Sequence, residues 1–217
     1  MSSKIINNVA TEIKEKFQPE PSGHDWWHIY RVWQMAKKLT KFEKVDKFVV
    51  EIAALLHDIA DWKFYGGDEK AGSNAAKKLL NKYQIAPEKI THICEIIDHV
   101  SFKGAKVKNN MQSLEGKIVQ DSDRLDAMGA IGIARTFHYG GYTSRQIYNP
   151  EIKSVLHRTK DAYLKNNAPT INHFYEKLLL LKDMMHTRQA KKIALKRHNY
   201  MLKYINRLQK ECNLKWR

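Results

Sequence analysis

Long apolar runs are missing from this chain. Nowhere do 18 hydrophobic residues follow one another, so the sequence offers no membrane-spanning helix. Cysteine is nearly absent: Cys94 and Cys212 stand far apart and fit neither a disulfide framework nor a cysteine metal motif. No stretch alternates β-branched and polar residues with the period of two that a strand needs. Acidic residues are scarce beside basic ones, 23 Asp and Glu against 38 Lys and Arg, for a formal charge of +15 over 217 residues. The N-terminal "MSSKIINNVATEIKEKF" is amphipathic and charged, without the apolar centre of a signal peptide. These absences exclude a membrane span and a disulfide-stapled secreted module. They leave the expectation of a helical protein in the reducing cytoplasm.

What is present is helical periodicity almost throughout. It predicts helices over residues 3–17, 25–42, 46–60, 69–83, 87–100, 114–134, 150–165, 171–186 and 188–211. Pro19, Pro21 and Gly23 break the chain before the second of these, and Pro87 suits a first helical turn. Two segments read as loops: "FYGGDEK" (64–70) and "FHYGGYTSRQIYNPE" (137–151), the second with Gly140-Gly141, Arg145 and Tyr148. Neither repeats nor linkers divide the sequence. The expected fold is all-α, a single domain over 1–217 built as a compact bundle of about eight or nine helices. Its motif core would span 20–130, with C-terminal helices of 150–212 packing on it. The basic excess concentrates in "RQAKKIALKRHNYMLKYINRLQKECNLKWR", where it alternates with apolar positions as in an amphipathic packing helix. A charge of this sign attracts anions, whether nucleotides, nucleic acid or phosphorylated metabolites.

The segment "EIAALLHDIADWKF" (51–64) sets His57 and Asp58 side by side at the end of an apolar helix. Both side chains are costly to bury without partners. Neutral imidazole and ionised carboxylate are metal ligands, and a shared cation compensates for burying them. Helix neighbours diverge by about 100°, so the remaining ligands must come from other helices. "GHDWWHIYRVW" (23–33) offers His28, and also His24, at the i, i+4 spacing that brings two ligands onto one helix face. Gly23 and Pro21 put His24 at the helix start, and His28 lies one turn inside. "GKIVQDSDRLDAMGAIG" (116–132) offers Asp121, Asp123 and Asp126. Singly, each residue has an ordinary structural explanation, such as a core histidine or a capping carboxylate. Together they need several buried polar groups satisfied independently.

His28 followed by Arg31-Val32, then "LLHDIAD", then "DSDRLDA" resembles the HD-domain metal-dependent phosphohydrolases, in order and on a helical chain. The segments "IIDHVSFK", "RTFHYGG" and "HFYEKLLLLKDMM" are similar to those of a small bacterial stand-alone HD subgroup, and the likeness covers residues 20 to 200. The resemblance implies metal ligands at His28, His57, Asp58 and Asp123, the last because the family's Asp-Arg-Leu pattern falls there. Two imidazoles and two carboxylates with waters favour Mn²⁺, Co²⁺, Ni²⁺, Fe²⁺ or Mg²⁺ over structural zinc. Asp61, where relatives carry an acidic residue, is the expected general base or acid. Arg31, Lys63, His99, Lys103, Arg124, Arg145 and Tyr148 are the candidate substrate contacts, cations and donors suited to phosphate. Trp26, Trp27, Trp33 and Trp62 cluster near the motifs, for base stacking or for core packing.

The implied activity is hydrolysis of a phosphate ester or anhydride of a nucleotide or similar small phosphorylated metabolite. Besides a stringent-alarmone hydrolase, less favoured because the sequence shows no recognisable synthetase or regulatory segment, two alternatives stand beside it. One is a cyclic-nucleotide or dinucleotide phosphodiesterase, with a second ion bound through His92 or His99. The other is a non-catalytic HD module that binds nucleic acid or a ligand. The expected partner is a small phosphorylated substrate, with nucleic acid not favoured and no membrane. The expected state is a monomer or a homodimer.

Overall fold

The computed structural model describes residues 2–18, 23–60, 66–159, 161–162 and 166–212, and among these no strand occurs. The chain folds into two compact units, Met1–Phe102 with Asn109–Asp123, and Lys103–Lys108 with Arg124–Arg217. The fold is all-α.

The first unit contains α1 (Ser2–Phe17), α2 (Trp26–Leu39), α3 (Lys47–Leu56), α4 (Ala71–Leu80) and α5 (Pro87–Val100). It also takes in α6 (Leu114–Asp126) as far as Asp123. α3 is its centre. Val50, Ile52, Ala53, Ala54, Leu55 and Leu56 are all fully buried, so the second half of α3 meets no water on any side. It packs against α1, α2 and α5, and α4 packs on α5. Each buried Ile or Leu there contributes about 1.5–3 kcal/mol relative to exposure. The starts of these helices have chemical causes. Asp25 caps α2 by accepting the His28 amide at 2.8 Å. Asp46 caps α3 by accepting from the Phe48 and Val49 amides. Pro87 occupies the first turn of α5, as its sequence position predicts.

The second unit contains α7 (Gly129–Tyr142), a π-turn at Phe174–Leu178, a 3₁₀ turn at Leu181–Met184, and α8 (Arg188–Glu211). α8 packs on α7 and on the 3₁₀ turn. Three sequence expectations fail here. The helix expected over 114–134 breaks where Met128 turns extended (φ −122°, ψ 160°) and Gly129 takes φ +73°. A second helix then runs straight through Gly140-Gly141, which the sequence marks as loop. The reason is packing: Gly140 faces Thr170 so closely that any Cβ would overlap the threonine hydroxyl. The helix expected over 150–165 is absent from residues 150–159. Its apolar residues Ile152, Val155 and Leu156 are 43–57% exposed. Its backbone binds side chains instead: the Val155 amide donates to Glu176 and the Ile152 carbonyl accepts from Asn172.

Candidate metal centre

α3 ends at Leu56, and His57 is its C-cap, so His57 and Asp58 sit in the turn that leaves the most buried helix of the unit. His57 Nδ1 donates to the Ala54 carbonyl at 2.8 Å. In the neutral ring that bond puts the proton on Nδ1 and leaves the Nε2 lone pair available to a cation. His28, wholly buried on α2, brings its Nε2 to 3.1 Å from His57 Nε2. The two rings are inclined by 71° with centroids 5.1 Å apart, so their nitrogens converge without the rings overlapping.

Two carboxylates complete the cluster. Asp58 Oδ2 lies 3.3 Å from His28 Nε2 and 3.4 Å from His57 Nε2. Asp123 Oδ1 lies 3.6 Å and 3.9 Å from the same nitrogens. Burial raises the pKa of Asp58. The charges of His57 and His24, with hydrogen bonds from His24 and His28, outweigh it and hold the carboxyl well below its ordinary value. Asp58 is therefore an anion at neutral pH.

Two sets of three donors sharing His28 could each hold a divalent ion, His24 with His28 and Asp58, and His28 with His57 and Asp123. With metal–ligand bonds near ~2.1 Å, donors at right angles stand ~3.0 Å apart, tetrahedral ones ~3.4 Å and opposed ones ~4.2 Å. The distances between 3.1 and 3.9 Å fall inside that window. His28, His57 and Asp58 are buried, whereas the Asp123 side chain is 28% exposed, so the cluster is approachable from the side of Asp123. Of the other two aspartates on α6, Asp126 is paired with Arg135 at 3.2 Å in the second unit, and Asp121 is fully buried.

Two contributors lie outside the expected ligand set. His24, placed before the α2 cap by Gly23 (φ +87°), sets its Nδ1 2.8 Å from Asp58 Oδ2. Its spacing to His28 is the visible sequence signal. Lys16, on α1, donates to the Ile59 carbonyl at 2.7 Å, next to the His-Asp pair, and burial lowers its pKa. Nothing in the local motif announces a partner 43 positions upstream.

The candidate substrate residues are dispersed. Arg31 is half-buried on α2, and His99 Nδ1 donates to the Glu95 carbonyl on α5. Lys103 and Tyr148 are half-buried in the second unit. Arg124 is buried there, with Nη1 on the Met184 carbonyl and on His186 Nε2. Arg145 donates to the Asn166 carbonyl and lies over the Tyr139 ring. Asp61, Lys63 and Trp62 lie outside the described residues. Trp26 and Trp33 are core residues, Trp33 donating to Glu51, whereas Trp27 is 58% exposed. Neither His92 nor His99 joins a metal-capable cluster among the described residues.

His28 on α2, His57 and Asp58 in the turn after α3, and Asp123 on α6 thus stand in the sequence order His, His-Asp, Asp, with both carboxylates within 3.9 Å of the His28 and His57 nitrogens. The HD domain family model matches residues 26–128. Bacillus subtilis YpgQ is 37% identical over 209 residues, covering 96% of this chain and 94% of its own. The chain belongs to the HD-domain family. An HD-superfamily hydrolase from Bacillus thuringiensis is 41% identical, with a TM-score of 0.75 over 99% of this chain and 100% of that one. A Lactobacillus plantarum protein gives a TM-score of 0.86 at 35% identity, covering 98% of each chain. YpgQ has also been crystallised in complex with ADP, and that structure superposes with a TM-score of 0.74, covering 95% of this chain and 97% of that one. The fold of this HD-family member is thus that of the HD-superfamily hydrolases. No helix among its described residues is long and apolar enough to cross a membrane.

Proposed function

We propose that this HD-family protein is a metal-dependent phosphohydrolase that cleaves a phosphate ester or anhydride bond of a nucleotide. The observation that carries the reading is the convergence of His28, His57, Asp58 and Asp123 at ion-binding separations, three of them buried and one reachable from solvent. Membership of a hydrolase superfamily supports the reaction type, and the ADP complex of YpgQ supports a nucleotide as substrate.

In this reading His28, His57, Asp58 and Asp123 hold one divalent ion, Mn²⁺, Co²⁺, Ni²⁺, Fe²⁺ or Mg²⁺. When bound, such an ion supplies Lewis acidity and a water of lowered pKa. The protein's share is orientation and proton handling. The His57–Ala54 bond keeps the imidazole lone pair aimed at the site. The Asp58 carboxylate supplies negative charge that would offset the cation's. Asp123, on the exposed side, lies where substrate and water enter. Asp61 is assigned the proton transfer, and the basic residues of the motif segments, Arg31 foremost, are assigned the phosphate. The sequence as a whole, at +15, favours an anionic substrate.

The test is hydrolysis of a panel of nucleoside mono-, di- and triphosphates, deoxy forms included, with each metal or a chelator and with products resolved by chromatography. Metal-dependent turnover that disappears in His57→Ala and Asp58→Ala supports the proposal, and the products show which bond is cut. A protein inert toward every nucleotide with every metal contradicts it.

A further inference from the structure

His24 approaches Asp58 from the loop before α2, whereas His28 approaches from within the helix. The two rings stand edge to face, 5.6 Å apart and 82° inclined. Both reach the same atom: Asp58 Oδ2 is 2.8 Å from His24 Nδ1, 3.3 Å from His28 Nε2 and 3.4 Å from His57 Nε2. The contact with His24 is the shortest of the three. An ionised carboxylate can only accept, so His24 Nδ1 carries the proton and donates.

The rotation of an aspartate carboxyl about its last torsion is soft, with broad wells rather than sharp staggered ones. Asp58 is attached to a turn rather than to a helix, and no α-helical register beyond Leu56 fixes its direction. Some partner has to decide which oxygen faces His28 and His57. We propose that His24 is that partner: a positioning residue that donates Nδ1–H to Asp58 Oδ2, setting the carboxylate for metal binding without itself being a ligand. His24 is in turn held by the backbone around it. Gly23 adopts φ +87°, and Asp25 closes the α2 cap on the His28 amide, so the loop places the His24 ring against Asp58. The side chain is 24% exposed, at the edge of the cluster rather than in its interior. This inference rests on the metal site proposed above.

The test is Mn²⁺ binding to metal-free protein by titration calorimetry, in wild type, His24→Ala, His24→Asn and Asp58→Ala, with melting of the chelated proteins as a check on folding. Hydrogen-bond partners of metal-binding side chains contribute roughly 10–100-fold in affinity. His24→Ala should lose affinity by that factor at unchanged stoichiometry. His24→Asn, which keeps a nitrogen donor, should recover most of it. Wild-type affinity in His24→Ala overturns the inference. So does a fall in the number of ions bound, which would make His24 a ligand, and so does an Asn variant as weak as the Ala variant. If wild type binds no Mn²⁺ at all, the metal-site reading fails first and this inference fails with it.

Discussion

Leu56→Ala probes the support on which the candidate site stands. Leu56 is the last residue of α3, fully buried, and directly precedes His57. The substitution removes three carbons, worth about 2.4 kcal/mol at ~0.8 kcal/mol for each carbon group. It also leaves a cavity. α3 is enclosed by α1, α2 and α5, so the surroundings cannot collapse far into the void. The combined loss should be about 3–4 kcal/mol. For a chain of this length, each kcal/mol lowers the melting temperature by roughly 2–4 °C, giving a fall of about 6–16 °C. The assay is urea unfolding followed by far-ultraviolet circular dichroism in excess chelator, so that metal binding does not enter. Leu195→Ala, on the half-exposed side of α8, is the control and should change stability by less than about 0.5 kcal/mol. A Leu56→Ala loss below about 1 kcal/mol, at unchanged denaturant slope, would refute the view that α3 is enclosed on all sides.

Tyr83→Phe cuts the hydroxyl's bond to Glu12, which with the 2.6 Å Lys82–Glu12 pair ties α1 to the end of α4. Burial, then the bond to Glu12, pushes the Tyr83 hydroxyl up to about 12, so its contribution is full below pH ~10 and is lost as pH rises through about 12. Glu12 is held below its ordinary value by Lys82 and then Tyr83, so its contribution is present above pH ~4.5 and fades as pH falls through the lowered value. After allowance for solvent screening, Tyr83→Phe should cost about 1 kcal/mol at pH 7 and flatten both edges of the pH–stability curve. An unchanged curve would show the network contributes nothing. Gly140→Ala should destabilise by about 1–3 kcal/mol because the new methyl meets Thr170, whereas Gly141→Ala, with open space around it, should stabilise by about 0.5–1 kcal/mol. Equal effects in chemical denaturation would contradict the packing explanation for the unbroken α7.

Local chemistry was the legible part of this sequence. α5 begins at Pro87 and ends at Val100, and α8 spans Arg188–Glu211, as periodicity and end signals predict. His28, His57, Asp58 and Asp123, expected from motif order, come near one another because α2 packs on α3 and His57 and Asp58 leave the most buried helix of the unit. Long-range packing was not legible. A glycine pair ordinarily costs a helix about 1 kcal/mol per residue, and the close approach of Thr170 that makes Gly140 necessary lies 30 residues away along the chain. The apolar spacing of Ile152, Val155 and Leu156 suggested a helix, yet these residues found no core to bury against. The Lys16–Ile59 contact joins segments too distant for any motif to connect. His24 was visible as a spacing, but its bond to Asp58 required the loop geometry of Gly23 and Asp25.

The most direct test measures metal content and nucleotide turnover in the same dialysed samples of wild type and of His28→Ala, His57→Ala, Asp58→Ala and Asp123→Ala. Wild type should retain Mn²⁺ and hydrolyse a nucleotide, and each variant should lose both together. Turnover that persists in a chelator, or in variants stripped of metal, would contradict it.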